Sequence, residues 1–299
     1  MRPTAKVRLI KLLIHLLGLL PLRANHALGA LVGHVIARIP SKTRRTVRVN
    51  LELCFPELPE AERERLLKQS LIETAKTATE IAYFWSRPPE QVEKLIREVR
   101  AEVFEQAIAQ GRGVIVAAPH LGAWELLNLY WGRRLPVNTL YRPPRHAEFE
   151  PLLNWARERT GAKLYPATPR GIRGLYKALA KREVAAILPD QTPPDAGVIA
   201  PFFGQPAKTM TLLSKLAAQS GAIVVFGFAE RLPRGQGYRF HFLPADAAVA
   251  DPDSQRAATA VNAGVEACVR MVPAQYQWTY RRFRRRQDGS GDPYSGKSL

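Results

Sequence analysis

The sequence predicts an α/β fold, a mixed and largely parallel sheet flanked by helices, with a helical region ahead of it. Three observations carry this. Short apolar, β-branched runs at 113–118 (GVIVAA), 137–141 (VNTLY) and 183–188 (EVAAIL) alternate with segments of helical length and spacing, as parallel strands joined by crossover helices do. Two later runs, AIVVFGF at 222–228 and YRFHFL at 238–243, flank the basic turn RLPRGQG and predict an antiparallel hairpin. The first forty residues hold two strongly apolar segments. At 299 residues the chain can bury a sizeable core.

The first segment, 7–20, is interrupted by Lys11 and His15 and stopped by Pro21; its 14 residues fall short of the roughly 20 that span a bilayer. A second, 26–39, is rich in Gly and Ala. No small-residue cleavage site follows, so neither reads as a signal peptide. Flanked by Arg2, Lys6, Arg8, Arg23 and Arg38, the pair fits a helical hairpin lying in a lipid headgroup region, or two ordinary core helices. His15 and His34 are then interfacial or packed residues. Ser41 is an N-cap candidate for a helix carrying Lys42, Arg44, Arg45 and Arg48, a solvated face or a cluster near lipid phosphates. A long amphipathic helix over 58–85 puts Leu67, Leu71, Ala75, Ala78 and Ala82 on its core face, and Glu80 has no periodic reason to be acidic.

After Pro88-Pro89 and a short helix, a further helix at 101–110 ends at Gly111 and the strand 113–118 follows. Proline disfavours the helical region for the residue before it, so Ala118 stays extended and His120 falls in the turn before the helix 121–131. On one continuous helix, His120 and Glu125 would point about 140° apart at about 3.6 residues per turn. With His120 in the turn, the Glu125 carboxylate can reach back to the imidazole. Such a pair takes a proton from an alcohol: the carboxylate orients the ring and the other nitrogen faces the substrate. A strand end opening into a helix is where α/β proteins place their sites.

The strand 137–141 runs into Arg142, where RPPR ends regular structure. Helices follow at 149–159 and 170–181, the second carrying Arg170 and Arg173. The strand 183–188 delivers Asp190 and Gln191 to the same sheet edge if the strands are parallel. The segment 197–209 reads as a long loop; Phe202 and Phe203 would point to opposite sides if extended, so at most one is expected in the core, the other bordering a groove or, the favoured reading, simply packing. Thr209 caps or begins a helix ending at Gly221. His241, between Phe240 and Phe242, reads as strand surface. A last helix spans 254–272, followed by QYQWTY, the cations Arg281, Arg282, Arg284, Arg285 and Arg286, and a tail at 287–299 that reads as disordered.

Lys and Arg total 44 against 26 acidic residues, a net charge of +18 that calls for an anionic partner. The charge itself does not choose among nucleic acid, an anionic membrane surface, a phosphorylated lipid and an acidic protein, but no RRM, KH or helix-turn-helix signature of nucleic-acid binding accompanies the arginine run at 281–286. The two cysteines, Cys54 and Cys268, suggest no disulfide framework and read as buried, in a reducing setting. The six histidines show no metal spacing, and neither GxSxG nor a glycine-rich phosphate loop is present.

His-x4-Glu after an apolar strand resembles the first motif of the glycerolipid acyltransferase superfamily. Together with RRTVRVNLELCFPEL at 44–58, YRPPR at 141–145, PDQTPPDAGVIAPFFGQPAKT at 189–209 and QYQWTYRRFRRR at 275–286, it is similar to the late acyltransferases of lipid A biosynthesis. The similarity covers residues 40–286. It implies a catalytic domain at 41–286 behind membrane-associated helices at 1–40, on the cytoplasmic face of a bacterial inner membrane. It further implies transfer of an acyl group from a thioester on acyl carrier protein to a hydroxyl of a lipid A precursor, with no metal or resident cofactor. His120 is then the general base oriented by Glu125. Arg142 binds substrate, Asp190 pairs with Arg170 or Arg173, and Glu80 matches a family position that helps shape the site. The same chemistry on a lysophospholipid, ornithine lipid or glycolipid, and a basic binding protein without catalysis, are the alternatives.

Overall fold

A computed structural model describes residues 5–144, 146–194, 197–284 and 291–295. Two antiparallel helices open the chain, α1 (Ala5–Leu19) and α2 (Leu22–Arg38), with Pro21 as the break between them. Next come α3 (Lys42–Cys54), capped by the Ser41 hydroxyl accepting from the Arg44 N–H at 3.1 Å, and the long α4 (Glu60–Ser86). The α/β body follows: α5 (Pro89–Glu93), β1 (Ile96–Arg100), α6 (Glu102–Ala109), β2 (Val114–Ala117), α7 (Trp124–Trp131), β3 (Val137–Tyr141), α8 (Glu150–Glu158), β4 (Lys163–Pro166), α9 (Pro169–Ala180) and β5 (Val184–Ile187). The remainder is β6 (Val198–Phe202), β7 (Gln205–Thr209), α10 (Leu212–Ser220), β8 (Ile223–Arg231), β9 (Tyr238–Pro244) and α11 (Ser254–Met271).

Among the described residues one sheet has the order β1-β9-β8-β2-β5-β3-β4. From β8 to β4 the neighbours are parallel, while β9 is antiparallel to β8 and carries β1 beside it. Period-2 alternation gives each central strand two apolar faces. Ile115, Ala117, Ala185 and Ile187 join the core under α9, α10 and α11, whereas Val114, Val116, Val184 and Ala186 face the core under α6 and α7.

The α1–α2 hairpin packs on α4 through close backbone approach. A side-chain carbon at Gly33 would come within 2.4 Å of the Ile72 Cα, so only glycine fits that seam. Its other face is bare: Leu9, Leu12, Leu13, Leu16 and Leu19 on α1, and Leu31, Val32 and Val35 on α2, are exposed. No helix among the described residues is long and apolar enough to cross a membrane.

Several elements depart from the sequence reading. Strands β1 and β4 lie at the two edges of the sheet, where a short, partly polar strand needs only one paired side. The expected loop at 197–209 is the β6–β7 hairpin, so Thr209 ends a strand and Thr211 precedes α10. Phe202 and Phe203 are both buried, because the backbone turns at Phe203 (φ +50°), whose N–H donates to Glu266 Oε1 at 2.6 Å. Ala78 is exposed on α4. His241 is buried, stacked on Phe228 with Nε2 at 2.8 Å from Glu230 Oε2. Within the expected disordered tail, Tyr294 is buried and its hydroxyl donates to Asn50 Oδ1. Arg282, one of the C-terminal cation cluster, is buried and donates to Lys208 O, Thr209 Oγ1 and Asn262 Oδ1. Arg2, Arg145, Arg285 and Arg286 lie outside the described residues.

Candidate active site

Strands β2 and β5 are neighbours in register, Ala117 opposite Ile187. Three residues beyond each stand His120 and Asp190. Asp190 accepts twice from His120, at Oδ2 from the backbone N–H (2.9 Å) and at Oδ1 from the imidazole Nδ1 (2.8 Å). The Asp190 side chain is 3% exposed and that of His120 is 16%, so the carboxylate is sealed behind the ring and the ring remains reachable. Burial pushes the Asp190 carboxyl up, and the His120 charge and N–H groups more than offset this, holding it below the usual carboxylate range. With Nδ1–H committed to Asp190, Nε2 is the free acceptor. The Gln191 amide nitrogen lies 3.3 Å from it and donates to Gln277 Oε1 at 3.2 Å.

A C-terminal segment clamps this turn. The Gln277 N–H donates to His120 O (3.0 Å) and the Gly122 N–H to Gln275 O (3.1 Å), while burial and the nearby Asp190 carboxylate push the Tyr276 phenol well up. The Gln275 side chain brackets the backbone of Arg231, accepting from its N–H at 2.8 Å and donating to its carbonyl at 2.9 Å. Gly122 has φ +61°, and a Cβ there would lie 2.0 Å from Ala229 O. The turn that carries His120 therefore passes too close to β8 for any side chain. Nothing in the periodicity of QYQWTY identified this role; its three consecutive polar and aromatic hydrogen-bonding groups were the available signal.

Glu125 does not orient His120. It is 5% exposed in the first turn of α7, and its carboxylate is held by Arg157 of α8, whose Nε donates at 3.0 and 3.1 Å and whose Nη2 adds a further bond. Because α7 begins only at Trp124, Glu125 projects across toward α8, and Asp190 already occupies Nδ1. Arg157 is a residue the sequence reading missed, one arginine among many. Arg170 and Arg173 are likewise not partners of Asp190: both are exposed on α9 and border a separate groove.

A cavity of about 800 Å³ opens at His120. Trp124, Glu125, Arg157 and Gln191 stand near its chemical end, and the exposed cations Arg142, at the end of β3, and Lys215 border it. From there it follows one face of the sheet along Leu188, Ala186 and Val184 of the β5 segment and Tyr141, Thr139 and Val137 of β3. Phe104, Leu127 and Trp131 roof it from α6 and α7. Four residues of strand rise make this slot about 13 Å long.

Glu80 lies outside the cavity wall and is fully buried. Arg231 Nε donates to it at 2.8 Å, Tyr238 OH at 2.8 Å, and His26 Nε2 of α2 lies 3.2 Å away. Desolvation pushes its carboxyl up, but Arg231 and His26 bring it down to about 2. This cluster ties α2 and α4 to the end of β8, which Gln275 connects to the His120 turn. Cys54 and Cys268 are buried, and desolvation pushes the Cys268 thiol up to about 12, so neither suits nucleophilic work. Among the described residues no group of three or more His, Cys, Asp or Glu side chains gathers as a metal site.

A histidine backed by a buried carboxylate, at parallel strand ends and beside an apolar slot, is an arrangement able to take a proton from a hydroxyl held at the mouth of that slot. The chain belongs to the bacterial lipid A biosynthesis acyltransferase family, whose model it matches over residues 4–285. It is 30% identical to the lipid A biosynthesis lauroyltransferase of Escherichia coli K12, over 92% of this chain and 90% of the relative. It is 29% identical to the palmitoleoyltransferase of the same organism (89% and 87% covered) and 25% to its myristoyltransferase (95% and 88%). The relatives' names share one pathway and differ in the acyl chain.

Proposed function

We propose that this chain transfers a fatty acyl group from a thioester on acyl carrier protein to a hydroxyl of a lipid A precursor, at the cytoplasmic face of a bacterial inner membrane. The observation that carries the reading is the His120–Asp190 pair opening onto the apolar slot. An acceptor hydroxyl takes the place of the Gln191 amide at His120 Nε2. His120 removes its proton as the oxygen attacks the thioester carbonyl, and Asp190 stabilises the imidazolium. Collapse of the tetrahedral adduct breaks the carbon–sulfur bond, and the departing thiolate takes the proton back from His120. The acyl chain lies in the slot, and Arg142 and Lys215 hold anionic groups of the acceptor at its rim. Glu125 and Arg157 keep the wall between them fixed. No resident cofactor is required, the thioester being a co-substrate.

The bare apolar face of α1 and α2 supports a membrane-surface role, since a paired amphipathic hairpin lies in the headgroup region with its apolar side down. Helix α4 carries that hairpin and also lends Ile81 and Trp85 to the cavity wall.

The test is mass spectrometry of acceptor lipids after incubation with acyl carrier protein bearing a range of chains, with wild type and His120→Ala in parallel. One added acyl chain on a lipid A precursor, absent with the variant, is the expected result. Transfer only to a lysophospholipid or ornithine lipid would keep the chemistry and displace the acceptor. No transfer by folded protein would end the catalytic reading.

A further inference from the structure

Arg170, Arg173, Lys177 and Lys181 succeed one another at intervals of three, four and four residues along α9 and its C-cap, which places all four on one helix face. They span about 16 Å at 1.5 Å per residue. All four are exposed, while Leu175, Ala178 and Leu179 on the opposite side are buried in the core. Many surface cations of this chain are neutralised by neighbours: Arg44 and Arg48 by Glu64, Arg133 by Glu90, Arg134 by Glu93, Arg239 by Glu98, Arg256 by Asp251. Among the described residues none of the α9 four is ion-paired to a carboxylate. Three of them also border a groove beside Tyr165 and Pro166.

We propose that this face of α9 is the docking surface for the acidic helix of the carrier protein that brings the acyl thioester. This rests on the donor proposed above and gives it a place on the chain. Three features favour an acidic folded partner. The stripe is straight and long enough to lie along another helix, whose carboxylates at matching spacing would meet each cation. No large exposed apolar side chain accompanies it, whereas the apolar surface expected to meet lipid is on α1 and α2. Its own helix reaches the active site: Ile172 and Ala167, on the inner side and at the N-terminal approach of α9, line the His120 cavity. A flexible arm from a partner on the outer face would enter around that end.

The experiment compares steady-state kinetics of wild type, Arg173→Glu/Lys177→Glu and Arg173→Ala/Lys177→Ala with two donors of one acyl chain, dodecanoyl carrier protein and dodecanoyl pantetheine. The positions are exposed, and thermal melts confirm that the variants fold. The expected result is a KM for the carrier-bound donor raised about tenfold or more by charge reversal, less by alanine, as loss of electrostatic steering produces. Kinetics with the pantetheine donor and the KM for the lipid acceptor stay unchanged. Equal loss with both donors, a change confined to the acceptor KM, reduced sedimentation with anionic vesicles, or no change at all would each overturn the proposal. Wild type that uses dodecanoyl pantetheine but never the carrier-bound donor would overturn the donor assignment, and this surface with it.

Discussion

His120 and Asp190 meet at 2.8 Å because each lies three residues beyond a directly paired strand position, Ala117 and Ile187. In a parallel sheet, neighbouring strand ends leave on the same side, so residues at equal offset past a register pair are brought together. The dyad is thus set by sheet register together with the turn after β2, which Gly122 and residues 275–277 hold in place. The Asp190 carboxylate also accepts the His120 backbone N–H, so one side chain fixes both the ring and the peptide that carries it.

Replacing Asp190 with Asn sets an amide N–H against one of those two donors. Either the backbone bond is lost or the imidazole adopts the tautomer that points a hydrogen at the substrate. A fall in kcat of about 10²–10⁴-fold is expected, with the KM of the acceptor little altered. Stopped assays with a radiolabelled acyl donor measure it. Activity within a few-fold of wild type would show that Asp190 is not the orienting group.

The buried Tyr276 phenol lies near the same carboxylate, and burial together with that charge pushes its pKa well up. Tyr276→Phe keeps the buried ring and removes the hydroxyl that can share the Asp190 charge from that side, leaving Asp190 more strongly coupled to His120. The acid limb of the pH dependence of kcat/KM then moves to higher pH, while the melting temperature changes little. A purely structural role would lower stability and leave the profile in place.

The parallel strands were legible because GVIVAA, VNTLY and EVAAIL are uninterrupted apolar runs, and from their alternation with helices the placement of His120, Arg142 and Asp190 at one sheet edge followed. Which carboxylate meets His120 was not legible. A spacing of five residues admits Glu125, whereas the contact with Asp190 depends on a register formed 70 residues away in the chain. The β6–β7 hairpin was hidden by its prolines, which ordinarily exclude a strand. Here Pro201 stands opposite Pro206, a pair that needs no exchange of N–H groups, so the ladder tolerates both. The burial of Glu80 could not be read from periodicity either, since its partners Arg231 and Tyr238 come from β8 and β9.

Glu80 is the group whose loss should unfold the molecule most readily. Glu80→Gln leaves the buried Arg231 guanidinium without its main counter-charge, a cost of about 3–5 kcal/mol. The carboxyl titrates at about 2 in the folded state against 4.5 for an unperturbed glutamate, so its contribution is fully present above pH 4.5. It is lost as pH falls toward 2. Thermal melts from neutral to acid pH should show wild type losing stability across that window and the variant losing less of it. Parallel curves for the two proteins would refute the assignment.

The slot behind His120 sets where an acyl chain must stop, and Ala186 is the position to test. It lies on β5 between Leu188, near the strand end, and Val184, deeper in, and all three side chains face the cavity. Ala186 is half-buried, packed at the edge of the core and lining the cavity, so a phenylalanine there fills cavity space and shortens the slot. The strand rise of about 3.3 Å per residue puts the new ring some 6–7 Å nearer the catalytic end than Val184. With carrier protein bearing a mixture of chain lengths, Ala186→Phe should therefore shift the product toward shorter acyl groups. Val184→Ala, which enlarges the deep end, should shift it toward longer ones. Mass spectrometry of the acylated lipid reads both shifts in one assay. Unchanged product distributions from two folded, active variants would mean that the acyl chain takes a different route from His120.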